Sequence, residues 1–296
     1  MAIGECMVEL APTGDGTYTR SFAGDTFNTA WYAKKQLPHS WQVAYCTCVG
    51  TDTASDNMVN FFNAAGIETD TIRKLPDRTV GLYMIELKDG ERSFSYWRDN
   101  SAARQLAADP EWLNTAISGA TAIHFSGITI AILSDVDRHE FLKAVAAARA
   151  AGAITVFDPN LRKRLWQSDA HMCRAVDEAA RVAEIVLPSF DEEQEFFGDA
   201  TPQDTIARYR AAGAGTIIVK NAAAEMVAWS QATGEVRAMP PKVAQAVDTT
   251  AAGDSFNAGA LSALLIGKPL SEALVCGSTL AAKVVQGRGA LVDVPD

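Results

Sequence analysis

Short apolar runs rich in β-branched residues recur along the chain at 42–49, 122–126, 153–158, 183–187 and 215–220. Between them lie stretches whose apolar positions repeat every three to four residues, which predicts helices over 25–36, 55–65, 135–151, 170–181, 202–212, 254–266 and 271–286. Strand and helix in alternation predict the α/β class, a parallel sheet covered by helices, because parallel strands need long crossover connections. The element ends carry their own signals. Thr201-Pro202 reads as an N-cap followed by proline at the first helical position, and Gly66, Gly152, Gly213 and Gly267 read as helix stops. Two segments break the rhythm: 5–10, and the pair 80–87 and 91–98, read as strands with no helix between them. The pair is joined by Lys88-Asp89-Gly90, a hairpin signal. Together they predict a small antiparallel flap inserted into one large domain, since no repeat, low-complexity tract or linker marks a boundary.

Composition narrows the partners. With 296 residues, 26 basic and 36 acidic side chains, the chain carries a net charge of −10, which argues against a general nucleic-acid binder. No apolar stretch approaches the roughly 20 residues that a bilayer requires, so no membrane span is expected. The five cysteines are an odd count without metal-ligand spacing and read as reduced thiols of a cytoplasmic protein. The first residues lack the basic and apolar regions of a signal peptide. His39, His124, His139 and His171 show no metal-ligand spacing.

The most informative stretch is Asp248-Thr249-Thr250-Ala251-Ala252-Gly253-Asp254-Ser255-Phe256-Asn257-Ala258-Gly259, small residues leading into a helix. Small side chains let backbone amides approach an anion, and a helix N-terminus adds partial positive charge. Asp254 then falls in the first turn, where a carboxylate can either take a proton from a substrate hydroxyl or simply cap the helix. Spacing alone leaves both readings open.

This stretch resembles the C-terminal signature of the ribokinase (PfkB) superfamily of sugar kinases. The likeness extends over nearly the whole chain: Gly4-Glu5-Cys6-Met7-Val8-Glu9-Leu10, Gly24-Asp25-Thr26-Phe27-Asn28, Gly81-Leu82-Tyr83, Tyr96-Trp97-Arg98, and Asp158-Pro159-Asn160-Leu161-Arg162 with Leu165-Trp166 are similar to the 2-keto-3-deoxygluconate kinases of that superfamily. The resemblance implies a single ribokinase-like kinase domain over 1–296. Its three-layer α/β/α core would carry a small antiparallel β lid formed by about 5–28 and 80–98. It implies ATP and Mg²⁺, with phosphorylation of 2-keto-3-deoxy-D-gluconate at its 6-hydroxyl and Asp254 as the base. Amides of Ala251, Ala252 and Gly253 would face the transferring phosphoryl group. Gly24, Asp25, Asn28, Tyr83, Tyr96, Arg98 and Arg162 would hold the sugar acid.

On the nucleotide side the resemblance points to Asn160, Arg162, Lys220, Asn221 and Ala222. Ala222 stands where the family reads glycine, and Ala23 where it reads Gly-Gly-Asp. Glu192 matches the metal-associated glutamate, acting through water, while Ser189 replaces the asparagine of that motif. A monovalent cation near Asp248 and 287–290, and a homo-oligomer formed through the lid, are further expectations of the family. The arginines favour a substrate carboxylate, which a guanidinium grips by two parallel hydrogen bonds. Other sugars on the same fold (the galactonate epimer, fructose, ribose) and a silent sugar sensor are the alternatives. A nicotinamide dehydrogenase would want a Gly-x-Gly-x-x-Gly turn after the first strand, and the residues after Ile3 do not supply one.

Overall fold

The computed structural model describes residues 1–88 and 91–294. Its elements run β1 (Ala2–Ile3), β2 (Met7–Gly14), β3 (Thr17–Ala23), α1 (Asp25–Gln36), β4 (Tyr45–Val49), α2 (Thr53–Ala64), β5 (Ile72–Lys74), β6 (Leu82–Lys88), β7 (Glu91–Trp97), α3 (Pro110–Ile117), β8 (Ala122–Ser126), α4 (Gly127–Ala131), α5 (Asp135–Ala150), β9 (Ile154–Asp158), α6 (Asp169–Arg181), β10 (Ile185–Val186), α7 (Phe190–Phe197), α8 (Pro202–Ala212), β11 (Thr216–Val219), β12 (Met226–Ser230), β13 (Gly234–Ala238), α9 (Ala252–Leu265) and α10 (Leu270–Val284).

Nine strands form the main sheet in the order β13-β12-β11-β10-β9-β8-β1-β4-β5. It is parallel from β5 to β11, and β12 and β13 add an antiparallel edge that the strand pattern did not predict. Successive residues of one strand feed opposite cores: Phe157 joins Phe125, Phe141 and Met172 on one face, while Val156 joins Leu187, Phe256 and Leu274 on the other. That is a three-layer α/β/α arrangement, and its strands are apolar on both faces as buried parallel strands must be. The chain leaves β1 toward β4 and β5, then returns to build outward from β8. The carboxyl ends of β1 and β8 therefore form a topological switch point, where open α/β sheets place ligands.

The second sheet, β3-β2-β6-β7, is the predicted flap. Each hairpin is antiparallel, but the seam between β2 and β6 is parallel. The wholly antiparallel expectation is corrected there, because the two strands that lead out of the core lie side by side. Asp89 and Gly90, at the centre of the predicted hairpin turn, lie outside the described residues. Where β3 returns to α1, Gly24 passes so close to β2 that an added methyl would sit 2.1 Å from the carbonyl oxygen of Glu5. Only glycine fits that crossing. Ala23, which would crowd the turn if it needed positive φ, is not among the residues with positive φ.

Helix ends follow the sequence signals. Thr201 accepts from the amide of Asp204 in a capping box, and Gly66, Gly152, Gly213 and Gly267 all adopt positive φ past helix ends. The short helices α3, α4 and α7 have five to eight residues, too few turns for a periodic pattern to stand out.

Candidate active site

Between the lid and the carboxyl edge of the main sheet lies a cavity of about 400 Å³. It is lined by Gly24, Asp25 and Asn28 from the start of α1, by Tyr83, Phe94 and Tyr96 from the lid, and by Asp158, Asn160, Arg162 and Arg164 after β9. Glu192 and Lys220 line the nucleotide-facing side expected from sequence, and residues 249–254 close it at the start of α9. A larger hollow of about 620 Å³ opens at the amino ends of β1, β4 and β8, with mainly apolar lining. The smaller cavity holds the ionisable groups, and the chemistry is placed there.

Asp254 sits in the first turn of α9. Asn28 Nδ2 donates to its Oδ2 at 2.8 Å, which joins two helix starts separated by 226 positions. Burial pushes the Asp254 carboxyl up to about 7, with the charges of Asp25 and Asp158 adding to the rise against the bond from Asn28. Burial likewise holds Asp25 above the ordinary carboxylate range. The amide of Thr26 and Nδ2 of Asn160 both donate to Asp25, each at 2.8 Å. A carboxyl raised toward neutrality beside a cavity has the protonation behaviour that a general base requires. The cap reading fails on geometry, since no side chain caps α9. Ala251 precedes the helix at φ 59, and the amide of Ala252 is engaged by Thr249 O at 3.2 Å.

Lys220 directly follows β11 and is only 8% exposed. Its Nζ donates to Asp158 Oδ1 at 3.1 Å and Asn257 Oδ1 at 3.2 Å, and Asn257 Nδ2 donates to Asp158 Oδ2 at 2.7 Å. The three groups close a buried ring, and a methyl at Gly253 would lie 3.7 Å from Lys220 Nζ. A fixed positive charge thus stands at the uncapped end of α9, adding to the helix dipole. Across the cavity, Arg162 Nη1 donates to Glu192 Oε1 at 2.6 Å, and the amide of Leu161 donates to Oε2 at 2.9 Å.

Three of the residues expected at the site do not line this cavity. Arg98 does not line the cavity: its guanidinium is buried in an ion pair with Glu5 at the root of the lid. Asn221 and Ala222 also lie outside it, in an exposed turn where Asn221 Nδ2 donates to Glu225 O at 3.0 Å. Ala222 takes the φ of 46° that glycine would adopt freely, so the loop keeps its shape at a cost in strain. In place of Arg98 the cavity has Arg164, whose Nη2 donates to Tyr96 Oη at 2.6 Å. Asp158 and Asn257 were legible only as a strand end and as the residue one turn beyond Asp254.

The donor set suits magnesium in one way only. Among the described residues, no group of three His, Cys, Asp or Glu side chains is arranged to cage a metal. Glu192 and Asp158 line the cavity but are bonded to protein donors. This fits a hydrated ion carried on phosphates and held through water by one or two carboxylates.

A buried carboxylate near neutrality, a lysine at an uncapped helix start and an aromatic lid define a phosphotransferase acting on a small polar acceptor. The comparisons agree: the chain belongs to the pfkB family of carbohydrate kinases, whose profile matches residues 1–296. It is 36% identical to the 2-dehydro-3-deoxygluconokinase of Dickeya dadantii (strain 3937) over 296 residues, covering 98% of this chain and 95% of the relative. A PfkB protein from Polaromonas sp. JS666 superposes with a TM-score of 0.85 at 28% identity, covering 97% and 95% of the two chains. A fructokinase with bound ATP from Xylella fastidiosa shares the fold at a TM-score of 0.83 and 24% identity, covering 98% and 93%.

Proposed function

We propose that this chain transfers the γ-phosphoryl group of ATP to the 6-hydroxyl of 2-keto-3-deoxy-D-gluconate, giving the 6-phosphate. The observation that carries the reading is Asp254, a buried carboxyl raised toward neutrality at the start of α9. The D. dadantii 2-dehydro-3-deoxygluconokinase and the ATP-bound fructokinase support the acceptor and the donor.

In this mechanism Asp254 takes the proton of the attacking hydroxyl while Asn28 holds its carboxylate in place. Gly24, Asp25, Tyr83 and Tyr96 position the sugar acid. The amides of Ala251 and Gly253, with Lys220 beside them, stabilise the charge on the transferring phosphoryl group. Asn160 and Arg162 lie between the sugar and the phosphates. Glu192 would hold the water shell of a magnesium ion carried on those phosphates, and the ion would supply neutralisation of their charge. The lid excludes water that would otherwise consume ATP.

The lid's exposed Tyr18 and Trp97 support a homo-oligomer formed through the lid. The five free cysteines support a cytoplasmic setting. Asp248 ties its loop to 287–290, accepting from the amides of Thr250 at 3.0 Å and Gly289 at 2.7 Å, and a monovalent cation beside this clamp belongs to the same proposal.

The test is ADP release from MgATP with 2-keto-3-deoxygluconate, its galactonate epimer, fructose and ribose side by side. Turnover confined to the keto-deoxy acids is expected. Turnover confined to fructose or ribose would replace the acceptor, and silence on all four would point to a sensor or to another phosphoryl donor.

A further inference from the structure

A transverse row of side chains crosses all four lid strands. The register sets Ser21 opposite Glu9, Glu9 beside Tyr83, and Tyr83 opposite Tyr96. Glu9 is 5% exposed and lies behind Tyr83, outside the cavity lining. Its Oε1 accepts from Ser21 Oγ at 2.7 Å and its Oε2 accepts from Tyr83 Oη. Both carboxylate oxygens are thus taken up as acceptors of hydroxyl protons. A phenol has one proton, so Tyr83 Oη, turned to Glu9, has only lone pairs left for a ligand.

Tyr96 is the opposite case. Its Oη accepts from Arg164 Nη2 at 2.6 Å, and the Arg164 guanidinium lies 4.5 Å from its ring centroid. The phenolic proton of Tyr96 therefore remains available to a ligand. The two rings stack with centroids 5.8 Å apart and an interplanar angle of 30°, and both line the cavity.

We infer that the lid reads its substrate by this hydrogen-bond polarity: Tyr83 accepts from a sugar hydroxyl, Tyr96 and Arg164 donate to the carboxylate, and Glu9 is the positioning residue that fixes the difference. The inference rests on the reading that the acceptor is a sugar acid. A reversed substrate would set its carboxylate against the lone pairs of Tyr83 with the charge of Glu9 behind them, a like-charge arrangement at close range.

The experiment compares KM and kcat for the sugar acid and its methyl ester in Tyr96→Phe, Tyr83→Phe, Glu9→Gln and the Glu9→Gln/Tyr83→Phe double variant. Tyr96→Phe should raise the KM of the acid about tenfold and leave that of the ester within about twofold. Tyr83→Phe should raise both alike. Glu9→Gln, whose amide can donate to Tyr83, should raise KM about tenfold on its own and add nothing in the Tyr83→Phe background, with the KM for ATP unchanged. Loss of acid-over-ester preference in Tyr83→Phe, or an equal effect of Glu9→Gln in both backgrounds, would overturn the polarity. A parent enzyme that takes no sugar acid would overturn the substrate reading first, before any variant is compared. Should Glu9→Gln not fold, the two tyrosine variants still decide, since neither depends on it.

Discussion

The two walls of the cavity are built differently. The sheet-edge wall is made of ionisable groups held by other side chains: Asp254 by Asn28, Lys220 by Asp158 and Asn257, Arg162 by Glu192. The lid wall is made of aromatic rings, with Tyr83, Phe94 and Tyr96 in mutual contact and their polar atoms arranged along one register row. Parallel strands packed on both faces give the first wall the rigidity that a proton transfer requires. A two-hairpin sheet with one face toward the cavity gives the second a surface for recognition. Chemistry and selection are thus separable by mutation.

The largest expected effect lies on the sheet-edge wall. Asp254→Asn should cut kcat by about 10³-fold with little change in sugar-acid binding, as a general base contributes; single-turnover rates and calorimetry would measure the two quantities. Near-parental turnover would break the separation. Next comes the root of the lid. Arg98→Leu leaves the carboxylate of Glu5 buried without its partner, and a stability loss of about 3 kcal/mol is expected in denaturant unfolding. A raised KM at unchanged stability would return Arg98 to the ligand.

The Asp254→Asn variant also bears on stability. Because the folded-state pKa of Asp254 is raised, the folded protein holds a proton that the unfolded chain has already lost between about pH 4 and about pH 7. Stability from this group is therefore lost as pH rises through that window. The variant removes the penalty, so its melting temperature should exceed the parent's at pH 8 and converge with it at pH 4. The smallest effect is Ala222→Gly, which relieves a left-handed alanine outside the cavity and should stabilise by about 0.5 kcal/mol without altering turnover.

The same division explains what could be read from sequence. The core was legible because alternating strands and helices leave a periodic trace, and Asp254, Asp25 and Asn28 were legible because they fall at helix starts. Strand alternation sets Phe94, Tyr96 and Arg98 on one lid face, and the first two line the cavity. Arg98 departs from that pattern, because it lies one residue beyond β7 and turns to Glu5, 93 positions away. The ring of Lys220, Asp158 and Asn257 joins residues 37 to 99 positions apart, and no local pattern encodes such a closure. Arg164 stands in the basic run Arg162-Lys163-Arg164, a pattern that normally faces solvent; only the fold brings Tyr96 to it.

The most direct test of the central claim is the pH dependence of kcat/KM for the sugar acid at saturating MgATP. With Asp254 as a buried base, activity should fall about tenfold per pH unit below an apparent pKa near 7. A profile flat down to pH 5 would mean that the group accepting the proton is an ordinary exposed carboxylate, and Asp254 would lose its role.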